Sequence, residues 1–130
     1  MRLALLTAML LAACGSPPPR APVVGQAARA EVDAATKVYS DCVDSRAATV
    51  GVSGAMPGDI VDAIVKVCHP ARAALVSKVA AFHKLGHPKL RADQLATVGE
   101  ESVKDIDGPI AADAVVKVVE RQQAAAKSGK

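Results

Sequence analysis

The stretch DIVDAIVKVCHPARAALVSKVAAF, from Asp59 to Phe82, decides the fold. Ile60, Ile64, Cys68, Ala71, Leu75, Val79 and Phe82 recur at intervals of three or four residues. That spacing places them on one face of an α-helix, which must be buried against something else. Asp59 predicts an N-cap, and Asp62 complements the helix dipole in the first turn. Pro70 falls inside the pattern. The unbroken phase of the stripe predicts a continuous helix kinked at Pro70; the alternative is a second helix with Pro70 in its first turn. Gly86 ends the segment, with His87-Pro88 beyond it.

Upstream, Val32, Ala35, Tyr39 and Cys42 define a second amphipathic stripe and predict a helix over 27–50. Gly51, Gly54 and Pro57-Gly58 stop it and supply a loop. The two helices form an antiparallel hairpin. Cys42 lies eight residues before the end of the first and Cys68 nine residues after the start of the second. At about 1.5 Å per residue, both sit roughly level above the loop, on apolar faces. Neither belongs to a Cys-x-x-Cys arrangement, which argues against redox catalysis. The expectation is a structural Cys42–Cys68 disulfide.

Downstream, Leu95, Val98 and Ile106 mark a helix over 92–106, and Ala114, Val115, Val118 and Val119 another over 110–126. Asp107-Gly108-Pro109 reads as a break between them, and Gly99 as an interruption. No segment shows sustained two-residue alternation. The fold class is therefore all-α: a disulfide-clamped antiparallel hairpin plus one or two C-terminal helices. The apolar fraction is 51% but the aromatic fraction only 2%, and alanine and valine dominate. Such a core buries little area per residue, so a covalent clamp matters.

The first residues carry a different message. Arg2 precedes an apolar run from Leu3 to Ala13, too short to span a bilayer, which needs roughly 20 residues. Leu11-Ala12-Ala13-Cys14, followed by Gly15-Ser16, resembles the lipobox of bacterial lipoproteins at all four positions. A plain signal-peptide site would want a small residue at position 11, where Leu11 is large. The resemblance implies cleavage after Ala13 and lipidation of Cys14 by diacylglyceryl and fatty-acyl (palmitate-type) groups. Two or more chains anchor stably. No aspartate follows Cys14, so the family pattern implies the outer membrane, facing the periplasm, with inner-membrane retention as the alternative.

Residues 1–13 are thus read as signal peptide, 14–26 as a lipidated Pro-rich tether, 27–126 as the helical domain and 127–130 as a frayed tail. Removing Cys14 from the count leaves an even pair of cysteines in an oxidising compartment, consistent with a disulfide. Residues 30–85 also resemble small exported helical-hairpin proteins of unknown function.

Net charge is +3, with both signs interspersed throughout. With one Tyr, one Phe and no Trp, there is neither a basic face nor a stacking platform, so nucleic acid is not an expected partner. His83 and His87 have the i,i+4 spacing of helical metal ligands, but Gly86 and Pro88 flank the second and no further ligand is near. Glu100-Glu101 with Asp105 and Asp107 reads as a solvated face, and no serine has a Gly-x-Ser-x-Gly setting. No metal, cofactor, catalytic residue or small-molecule substrate is expected, and the chain is not read as an enzyme. The expectation is a lipid-anchored structural or protein-interaction module, held to the membrane at Cys14, with a protein partner. The alternatives are a pilotin-like chaperone for an outer-membrane secretin, and a metal-binding or enzymatic protein centred on His69, His83 or Glu100-Glu101.

Overall fold

The structure, a computed structural model, describes residues 23–129. Residues 1–22, which include the run read as a signal peptide, Cys14 and most of the expected Pro-rich tether, lie outside the described residues. Four helices follow in order: α1 (Val23–Thr49), α2 (Pro57–Val67), α3 (His69–Gly86) and α4 (Ala92–Ser128). Among the described residues there is no strand. No helix there is long and apolar enough to cross a membrane.

The hairpin is present, with a break in its second arm. Where a continuous kinked helix was expected, α2 and α3 are separate helices joined at Cys68 alone. Cys68 has φ −84° and ψ 5°, and its carbonyl accepts the N–H groups of Ala71 and Arg72. The cause is Pro70. It lacks an N–H and its ring would press on the carbonyl four residues back, so it is better placed in the first turn of a new helix. The one-residue joint hardly disturbs the apolar phase. Ile60, Ile64, Cys68, Leu75 and Val79 are all buried. The start of α2 is also earlier than expected. Met56 is the N-cap and Pro57 opens the helix, leaving Asp59 in the first turn.

α1 packs chiefly along α3, while α2 leans on α4. Buried Tyr39, Val43 and Ala47 continue the α1 stripe toward its C-terminus. The helix starts at Val23 rather than at residue 27, and α4 reaches Ser128 rather than residue 126. Between Pro22 and Gly51 the only glycine or proline is Gly25, at a cost of about 1 kcal/mol.

The expected break at Asp107-Gly108-Pro109 is absent: α4 is one 37-residue helix with Pro109 inside it. A proline at this position forfeits one backbone bond. Three contacts hold the two halves in line. Asp107 is salt-bridged to Arg72 of α3, and Ile106 and Ile110 flank it on the core side. Beyond the proline, Ala114 and Val118 are fully buried, so the far half has its own place in the core. α4 runs parallel to α1, with Lys117 paired to Asp44. Arg121 Nη1 donates to the carbonyls of Ala47 and Val50 at 2.9 and 2.6 Å, satisfying the orphan carbonyls at the α1 C-terminus. Gln122 Nε2 donates to Val52 and Ala55 carbonyls and pins the loop. Gly54, at φ +80°, supplies the left-handed turn there.

Gly99, expected to interrupt a helix, is buried where α4 crosses α3. A Cβ at this position would lie 2.9 Å from the Val76 carbonyl oxygen and 3.3 Å from Ala80 Cβ. Its missing side chain sets how closely the two helices approach.

Candidate functional site

The two domain cysteines meet. Cys42 and Cys68 form a disulfide with a Cα–Cα distance of 6.0 Å, closing a loop of 26 residues in sequence. It ties the C-terminal third of α1 to the α2–α3 joint, where Pro70 has already interrupted the helix. Cys68 is buried and Cys42 half-buried. Cys14 lies outside the described residues.

The other candidates do not converge. His69 is exposed at the start of α3. His87 sits beyond the helix end at φ −133°, so it does not share a face with His83. Glu100 pairs with Arg72 and Glu101 with Lys104, so the acidic pair is split between two cations. Among the described residues no three His, Cys, Asp or Glu side chains come together as a metal site. His83 Nε2 does lie 3.3 Å from Ser102 Oγ. Nucleophilic use of such a pair needs a group orienting the far ring nitrogen and donors for an oxyanion. Among the described residues His83 has no carboxylate partner, and both residues sit inside helices whose amides are already used.

One polar cluster was not foreseen. Arg72 is only 15% exposed at its side chain and bonds two acidic residues. Its Nε donates to Asp107 Oδ2 at 2.9 Å, its Nη2 lies 2.8 Å from the same oxygen, and its Nη1 donates to Glu100 at 2.8 Å. These bonds raise the Arg72 pKa further above its already high ordinary value, the Asp107 bond most. Tyr39 of α1 lies beside the same carboxylate. Burial first, and the Asp107 charge second, push its hydroxyl pKa up to about 12. Asp107 thus joins three helices, which explains its place inside a continuous α4. The sequence cue is slight: Tyr39 is the one polar-tipped member of the stripe Val32, Ala35, Tyr39 and Cys42, and Arg72 directly follows Ala71 of the second stripe.

The remaining surface features are apolar concavities. At the end of the fold where α1 begins and α3 finishes, Val24, Phe82 and Leu85 line a groove of about 450 Å³. Along the α1–α3 seam, Ala34, Ala35, Val38, Ala71 and Ala74 form a shallow strip bounded by the Glu31–Lys78 ion pair. These features define a small, disulfide-clasped, all-α domain that offers apolar grooves rather than a convergent polar cavity. No family model matches the chain, and no curated protein and no solved structure matches it either.

Proposed function

We propose that the protein is a lipid-anchored module of the bacterial cell envelope, facing the periplasm, that works by contacting another protein. The observation that carries this reading is Leu11-Ala12-Ala13-Cys14, a lipobox-like run ahead of a Pro-rich spacer. Two features support it. The Cys42–Cys68 disulfide suits an exported chain, because thiols stay reduced in the cytosol. The open apolar strip between α1 and α3, with Val38 60% exposed, suits a partner contact over a reaction.

Substituting Cys14→Ser in the full chain tests the anchor. The expected result is transfer from the membrane fraction to the soluble periplasmic one; retention in the membrane overturns it. A photocrosslinker at Val38 in cells tests the contact. The same open groove favours a second reading, a pilotin-like escort for an outer-membrane secretin. Recovery of a secretin as the main crosslinked product would select it over a structural role.

A further inference from the structure

The end of the domain that receives the N-terminal segment has an unusual surface. Val24 and Leu85 are 64% and 49% exposed, and with Phe82 they line the groove described above. A second concavity shares Gly25 and Phe82 and continues along α1 to Ala30 and the Arg29–Asp33 ion pair, so the concave surface is continuous across this end. Beside it, the charges left without an ion-pair partner among the described residues are basic. From Val24 to Ala30 and from Phe82 to Ala92 the chain has Arg29, Lys84, Lys89 and Arg91 and no acidic residue. Arg29 and Arg91 are paired with Asp33 and Asp93. Lys84 and Lys89 have no carboxylate partner among the described residues.

Covalent geometry places this surface near Cys14. Val23 is nine residues beyond Cys14, and a chain spans at most about 3.3–3.6 Å per residue, roughly 30 Å in all. We infer that this end of the domain rests on the bilayer. Val24, Phe82 and Leu85 enter the interfacial region, and Lys84 and Lys89 meet anionic headgroups. The inference rests on the reading of Cys14 as lipidated, and it adds an orientation to that reading. Apolar side chains flanked by lysines are the composition of interfacial binding surfaces. Each cation held near an anionic surface strengthens association about fivefold. The Gly54 loop and the C-terminal half of α4 then point away from the lipid, and the α1–α3 strip stands upright and open to partners.

The chain has no tryptophan, so one introduced indole reports one place. The test uses the full-length lipoprotein, processed in cells and reconstituted into phosphatidylethanolamine–phosphatidylglycerol vesicles with or without brominated acyl chains. Leu85→Trp reads the proposed contact. Val116→Trp, at an exposed position 24 residues along α4 from Ala92, is about 36 Å away along the helix. At an interfacial depth of about 5–10 Å, bromines should remove about half or more of the L85W emission and leave V116W unchanged. Lys84→Glu with Lys89→Glu in the L85W background should abolish the quenching while the protein still floats with the vesicles. Flotation without L85W quenching overturns the docking and leaves the anchor standing. Failure to float overturns the anchor, and the docking with it. A blue shift of L85W that grows with protein concentration but is insensitive to bromine means a second copy covers the groove, which also overturns the proposal.

Discussion

Replacing Gly99 with alanine should destabilise the protein, against the usual rule for helices. Inside a helix, alanine is favoured over glycine by about 1 kcal/mol. At Gly99 the new Cβ would meet the Val76 carbonyl oxygen at 2.9 Å, Val76 Cγ1 at 3.2 Å and Ala80 Cβ at 3.3 Å. The first of these is backbone. It belongs to a turn of α3 held by Leu75 and Val79, both buried, so it cannot swing aside as a side chain would. Relief requires α4 to retreat by a few tenths of an ångström, loosening Val103 and Leu75 across the seam. Overpacking of this kind costs about 1–3 kcal/mol. Set against the propensity gain, the net loss should be about 1 kcal/mol, or roughly 4–8 °C in Tm for a domain of this size. Gly108→Ala in the same helix is the comparison. A Cβ there meets nothing within 4 Å, and its propensity gain is offset by the restriction that Pro109 places on the preceding residue. It should move stability by less than about 0.5 kcal/mol, as surface changes do. Urea unfolding of the oxidised proteins, followed by far-ultraviolet circular dichroism, measures both. A Gly99→Ala midpoint at or above wild type, with Gly108→Ala neutral, would refute the claim that this glycine sets the α3–α4 distance.

Two further outcomes follow from the buried clusters. Tyr39 is the only tyrosine and there is no tryptophan, so absorbance near 295 nm titrates that one group. Its pKa is pushed up to about 12 from about 10 in an unfolded chain. An acid whose folded pKa is raised keeps its proton longer in the native state, so the Tyr39 contribution to stability is constant below about pH 10 and falls between about pH 10 and 12. The loss is on the order of 2–3 kcal/mol. Tyr39→Phe should lack that component of the alkaline loss, and a native titration midpoint near 10 would contradict the burial. The disulfide closes 26 residues, which on the chain-entropy model is worth about 3.5 kcal/mol. The Cys42→Ala, Cys68→Ala double variant should lose about that much in urea unfolding and show a steeper denaturant dependence, since its unfolded state exposes more surface. Equal midpoints for the oxidised protein and the double variant would show that the clamp adds nothing.

The periodic apolar positions told most of the fold in advance, because burial depends on which residues share a face. Ile60, Ile64, Cys68, Leu75 and Val79 are buried as their spacing requires, and the cysteine pair fell on facing stripes. The breaks were harder to read, and Pro70 and Pro109 show why. Both are prolines in helical phase. One ends a helix and the other does not. The difference lies in partners distant in sequence. At Pro70 the joint residue Cys68 is already held by the bond to Cys42, so the chain can stop and restart there without losing its place in the core. At Pro109 the flanking residues are held the opposite way. Asp107 reaches back 35 residues to Arg72, and Ile106 and Ile110 stay on the core side. Ending the helix there would pull the half-buried Asp107 carboxylate off Arg72 and lift Ile106 and Ile110 from the core, a larger combined loss than the single backbone bond the proline removes. The local pattern reads Pro70 as a kink inside one helix and Pro109 as part of a break, and the structure shows the reverse. Only the tertiary contacts separate them, and one of those contacts, the Asp107 carboxylate shared by α1, α3 and α4, is also what turns a hairpin with an appended segment into a single three-way packed unit.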